Sequence, residues 1–102
     1  MARRYPRVVR VGARRYSVVY TSGLEAMGEF DMDAGEIRVR ARLNSLDKAT
    51  TLLHEIIHAI SDTWGGNLSE EQTRCIEQGL ASLIQDNPKL VAALVEDIAT
   101  GP

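Results

Sequence analysis

Along the first forty residues, β-branched and aromatic side chains alternate with arginines and other polar groups, as a half-buried strand requires. Residues 5–11 and 16–21 carry this alternation on either side of Gly12-Ala13-Arg14-Arg15, which predicts a hairpin. Residues 26–30 and 36–41 flank Asp31-Met32-Asp33-Ala34-Gly35, a segment with turn chemistry and a glycine able to take positive φ. They predict a second hairpin, with Ile37 and Val39 on one face and Arg38 and Arg40 on the other. The expected product is a small, twisted antiparallel sheet of about four strands.

Beyond residue 43 the period changes to that of a helix. Asn44 or Ser45 can cap the first helix, with Asp47 in its first turn, where a negative charge suits the dipole. It is expected to run to about Trp64 and stop at Gly65-Gly66. Leu52, Leu53, Ile56, Ile57, Ile60 and Trp64 fill an arc of roughly 140° on a helical projection. His54 and His58 fall at the edge of that arc, and Glu55 projects further round, toward solvent. Ser69 and Gln72 form a capping box that opens a second helix, whose stripe is Thr73, Ile76, Leu80, Leu83 and Ile84. Asn87-Pro88 ends it, and Pro88 at a first helical position starts a short third helix reaching about Ala99. The fold class is therefore α+β, with the order β-β-β-β-α-α-α. Residues 1–102 read as one small domain, β-rich over 1–43 and helical over 44–102.

Composition narrows the functional classes. Hydrophobic residues make up 44% and charged residues 25%, values of a folded, water-soluble chain. No apolar run is long enough to span a bilayer, and no apolar core follows the basic start, so neither a membrane protein nor a signal peptide is expected. Cys75 is the sole cysteine, which excludes an internal disulfide and points to a reducing compartment, the cytoplasm. Cys75 itself reads as a small core or boundary residue rather than a ligand. Arg3, Arg4, Arg7, Arg10, Arg14 and Arg15 stand in the first twenty residues without an acid among them. Such an arm can bind nucleic acid or an acidic partner. The favoured reading is plainer: arginines on the wet face of a hairpin, where they also discourage edge-to-edge pairing. Leu90, Leu94 and Ile98 on the last helix leave self-association open.

The chemistry is concentrated in one string, His54-Glu55-Ile56-Ile57-His58, which uses both histidines of the chain. Four helical residues turn about 40° beyond one full rotation, so both imidazoles project from the same side. Two neutral imidazoles at this spacing can grip one zinc ion, with Glu55 placed to take a proton from a zinc-bound water. This is the H-E-x-x-H signature of zinc peptidases. Catalytic zinc takes three protein ligands and keeps a fourth position open. With no third histidine and a lone thiol, the third ligand must be an acid, and the next helix offers Glu70, Glu71 and Glu77. Projection puts Glu70 and Glu77 near the edge of the apolar stripe and Glu71 on its far side, and leaves the first two undecided.

The string from Thr51 to Ile60, then Leu68-Ser69-Glu70-Glu71-Gln72, Gly79-Leu80 and Asp86-Asn87-Pro88, resembles the small phage and prophage zinc-peptidase-like proteins. These are similar in turn to the ImmA/IrrE-type metallopeptidases of the gluzincin group. Gly35-Glu36-Ile37-Arg38-Val39 also resembles the strand that precedes their motif helix. The likeness covers residues 27–90, and its most specific parts are the motif helix and the Leu-Ser-Glu-Glu-Gln turn. It implies that the third ligand is a Glu opening the helix after the motif, here Glu70 or Glu71, and that Glu77 falls where the family has a small or neutral residue. Projection and resemblance agree on Glu70. The extra helices and DNA-binding domain of the larger relatives are missing.

The expectation is thus a zinc metallopeptidase of phage or prophage origin, acting on a protein or peptide, with His54, His58 and Glu70 on zinc and Glu55 as general base. Tyr5, Tyr16, Tyr20 and the arginines are all open as oxyanion donors. The strand at 36–41 could offer an edge to an extended peptide. Asp62, one turn beyond His58, could hydrogen-bond a ligand histidine or simply face solvent. Two alternatives belong to other classes: a zinc-stabilised binding module that cleaves nothing, and an accessory protein binding nucleic acid or a repressor through the arginine-rich hairpin.

Overall fold

A computed structural model describes residues 5–102. Arg3 and Arg4 lie outside the described residues. Four strands, β1 (Val8–Val11), β2 (Arg14–Thr21), β3 (Gly28–Asp31) and β4 (Glu36–Arg40), precede three helices, α1 (Ser45–Trp64), α2 (Glu70–Asp86) and α3 (Pro88–Ala99). The architecture is α+β, a four-stranded sheet with helices on one face.

The two predicted hairpins both form. In the first, Val11 pairs with Arg14 across a tight Gly12-Ala13 turn, so Arg14 and Arg15 belong to the strand. Gly12 sits at φ +59°, a conformation that costs glycine nothing. In the second, the Asp31 carboxylate accepts the Ala34 N–H at 3.0 Å and Gly35 takes φ +63°.

The sheet is mixed rather than antiparallel. Its order is β1-β2-β4-β3, and β2 runs parallel to β4. Packing decides this arrangement, because it places in the middle the two strands whose inner faces are buried. Ile37 and Val39 of β4 lie beside Val18 and Tyr20 of β2 and share their inner face. Tyr16, Val18, Ile37 and Val39 are buried there. Consequently β4 has no free edge, and the exposed edge beside the helices belongs to β3. The outer face carries a charge cluster, in which Arg38 reaches Glu36, Asp31 and Glu29 at 2.6, 3.0 and 3.6 Å.

Helix α1 lies across the inner face. Asn44 caps it by accepting the Asp47 N–H at 2.8 Å, and Gly65 ends it at φ +69°. Its packed side is rotated from the predicted arc. Thr51, Leu52, Glu55, Ile57 and Ala59 are buried, while Ile60 and Trp64 are exposed. The reason lies beneath the helix. Ala59 leaves room for the Tyr16 ring, and Tyr16 Oη bonds back to the helix through Thr63 Oγ1 (2.7 Å), Asp62 Oδ2 (2.8 Å) and the Ala59 carbonyl (3.4 Å). Asp62 also pairs with Arg14 at 2.8 Å. It therefore serves the core's polar edge and does not touch a histidine.

The predicted capping box opens α2, with Ser69 Oγ accepting from Gln72 N at 3.0 Å and Gln72 Oε1 accepting from Ser69 N at 2.8 Å. Only the first half of α2 packs on α1, where Thr73 is fully buried. Cys75 is exposed and so is not a core residue. Helix α3 has no buried residue. No described helix is long and apolar enough to cross a membrane.

Candidate metal centre

His54 and His58 stand one turn apart on α1, and the glycine turn at 65–66 brings the start of α2 back beside them. Gly66 N–H donates to the Ser61 carbonyl at 3.0 Å, and Leu68 N–H donates to Ser61 Oγ at 3.0 Å, so the return is fixed by the end of α1 itself. The capping box then sets the first turn of α2, which presents Glu70 to both rings. Glu70 Oε1 lies 2.6 Å from His54 Nε2, and Oε2 lies 3.1 Å from His58 Nε2.

The ligand atoms of His54, His58 and Glu70 all fall within 4.8 Å of one another, and the three together could hold a metal ion. Two imidazoles and a carboxylate are a donor set that zinc accepts, as do other divalent transition ions. The rings are also held from behind. Phe30 of β3 stacks on His58, with centroids 6.1 Å apart and planes 14° from parallel. Glu77, two turns along α2 from Glu70, approaches the other nitrogen of His54, with Oε1 3.4 Å from Nδ1. A carboxylate there suits the tautomer with a proton on Nδ1, in which Nε2 is the nitrogen open to a metal.

The three acids of α2 thus separate by position. Glu70 faces the two Nε2 atoms, Glu77 faces the far side of one ring, and Glu71 is exposed and outside the cluster. Burial alone would raise the Glu70 carboxyl, but its hydrogen bond to His54 and the neighbouring histidine charges outweigh that and hold it below the usual carboxylate range.

Glu55 departs from its expected place. It is 6% exposed and turned toward β3, not toward solvent. The contact requires a glycine opposite, since a Cβ on Gly28 would lie 2.6 Å from Thr51 Cγ2 and 2.9 Å from Glu55 Oε2. Burial pushes the Glu55 carboxyl up to about 7; His54 partly offsets the shift, and the negative charges of Glu70 and Glu29 add to it. Glu55 nonetheless reaches the same cleft as His54 and Glu70, an open cavity of about 290 Å³ bounded by Met27 and Gly28 at the start of β3 and by Arg74 and Glu77 of α2.

Of the tyrosines and arginines considered as oxyanion donors, Tyr16 is engaged with Asp62 and Thr63, and Arg14 with Asp62. The cationic residue that lines the cleft is Arg74. Its position was available in the sequence, four residues after Glu70 and hence on the same helical face. Gly28 carried a signal too, as a lone glycine at the start of an alternating strand. Phe30 behind His58 had none, because nothing local ties a strand residue to a helix two elements later.

No protein-family model, curated protein or solved structure matches the chain. The geometry and chemistry of this centre are therefore what carry a functional reading.

Proposed function

We propose that the protein is a zinc-dependent metallopeptidase of phage or prophage type, hydrolysing a peptide bond of a protein substrate. The observation that carries this reading is the convergence of His54, His58 and Glu70 within 4.8 Å, with Glu55 opening into the same cleft. Zinc bound there supplies a Lewis acid that lowers the pKa of water toward ~7 and polarises a carbonyl. Every other part belongs to the chain. Glu55 accepts a proton as water attacks and hands it to the departing amine. A carboxyl raised to about 7 suits a group that must do both near neutral pH. Arg74 offers guanidinium N–H groups to the carbonyl oxygen as negative charge builds on it. Glu77 orients the His54 ring through Nδ1. The free edge of β3, rather than β4, provides backbone groups to an extended peptide beside the cleft.

A purely structural zinc closes with four protein ligands and needs no general base. Here three groups converge while Glu77 is turned to the other nitrogen of His54, which favours an open site. The arginine-rich hairpin gives less support to nucleic-acid binding, since Arg14 is held by Asp62 and Arg10 lies opposite Arg15 on the exposed face.

The test is metal content and cleavage of an unfolded protein substrate, compared among wild type, His58→Ala, Glu70→Ala and Glu55→Gln. Wild type and Glu55→Gln should each carry about one zinc per chain. The other two variants should lose it, and all three should lose cleavage. Wild-type protein that binds no metal when zinc is supplied would sink the proposal.

A further inference from the structure

From Ile76 onward, α2 and the whole of α3 form an arm that leaves its apolar stripes uncovered. Ile76, Leu80, Leu83 and Ile84 of α2 are 37–46% exposed, and Leu90, Leu94, Val95 and Ile98 of α3 are 46–77% exposed. Their spacing is that of helix faces built for burial, with Ile76, Leu80, Leu83 and Ile84 on one stripe and Leu90, Leu94 and Ile98 on the other. Together these side chains offer on the order of 700 Å² per chain, close to the ~800 Å² that each partner contributes to a stable interface.

The charges of α3 indicate what covers it. Lys89 lies in its first turn, while Glu96 and Asp97 lie in its last, and the first turn has no acid and the last no base. Each of these charges opposes the dipole of its own helix. None of the three forms an ion pair among the described residues. A second α3 laid antiparallel sets the two helix dipoles head to tail and brings Asp97, which borders the Leu90–Leu94–Ile98 stripe, to the first turn of the other copy, while Lys89 and Glu96 stay on the outer face. About an axis near Leu94, Leu90 of each copy faces Ile98 of the other, so the same patch serves both sides of a two-fold contact.

We propose that the chain forms a two-fold dimer through the α2–α3 arms, with the two α3 helices antiparallel, so that four helices share one apolar core. The interface residues do not include Glu70 or Glu77, which face the histidines of α1.

The experiment is sedimentation equilibrium of the full chain across a concentration series, with circular dichroism to verify helical content. Wild type should show twice the 11.3 kDa chain mass. Leu94→Glu, at a site half-exposed in a single chain, should be monomeric with unchanged helicity. Asp97→Lys, which sets a positive charge beside the first turn of the partner helix, should weaken association by about tenfold, and Glu96→Lys on the outer face should leave it unchanged. A single-chain mass at every concentration, or a dimer indifferent to Leu94→Glu, overturns the proposal. Association indifferent to Asp97→Lys overturns the antiparallel arrangement. Should Leu94→Glu lose helicity, Val95→Gln at the more exposed neighbouring position takes its place, with the same two outcomes.

Discussion

The two ends of this chain bury their apolar residues very differently. In the sheet and α1, Tyr16, Ile37 and Val39 have no exposed surface, whereas α3 has no buried residue at all. Yet both regions show apolar periodicity in the sequence. Periodicity therefore records that a face is meant to be covered, and says nothing about whether the same chain covers it. The candidate metal centre lies at the seam. His54 and His58 come from the well-packed region and Glu70 and Glu77 from the first turns of the other, so a bound ion would tie the second region to the first.

The contrast predicts unequal responses to truncation. Ile37→Ala should lower stability by about 2–5 kcal/mol, as a fully buried side chain leaves a cavity. Leu94→Ala, measured in dilute solution where single chains dominate, should change it by less than about 0.5 kcal/mol. Urea unfolding of both variants checks this, and equal losses would mean that the arm is packed as tightly as the sheet.

A buried carboxyl should make the packed region sensitive to pH. The folded-state pKa of Glu55, about 7, lies above its ordinary 4.5. Between those values the folded chain binds more protons than the unfolded one, so stability falls as pH rises through this window. In metal-free protein at about pH 8 the deficit is on the order of 3 kcal/mol, and Glu55→Gln should recover most of it while making little difference near pH 4. Urea midpoints at the two pH values decide the matter.

The seam is probed by Glu77→Gln. If Glu77 orients His54, zinc affinity should fall by about 10–100-fold while the three ligands remain. Competition with a chromophoric chelator measures it, and an unchanged affinity would leave Glu77 with no role in the centre.

The smallest effect is expected on the exposed face of the sheet. The Ala34 N–H and the Arg38 guanidinium hold the Asp31 carboxyl below its ordinary value. A depressed pKa contributes stability that is present above the unfolded value and is lost as pH falls through the folded one. Asp31→Asn should therefore flatten the acid limb of the melting-temperature profile and leave neutral pH almost unchanged.

Local chemistry was readable wherever its cause was local. Asn44, Gly65, the Ser69–Gln72 box and Pro88 set the helix ends, because caps act within a few residues. The two hairpins followed from turns whose glycines take positive φ. The common side of His54 and His58 followed from helical pitch alone.

What the tertiary structure decided was every relation between elements. The strand order, with β2 parallel to β4, depends on which strand the core draws to its centre, and alternation is the same for edge and interior strands. The rotation that buries Glu55 depends on Gly28 in a strand far away along the chain. Asp62 went to Tyr16 and Arg14 rather than to a histidine because the Tyr16 ring reaches α1 under Ala59. Choosing among Glu70, Glu71 and Glu77 required the angle at which α2 returns, which the sequence constrains only through a glycine turn. A sequence encodes its local conformations directly, through propensities and hydrogen bonds within a turn or two. Contacts between elements emerge from the joint packing of all of them, and no single segment contains that information.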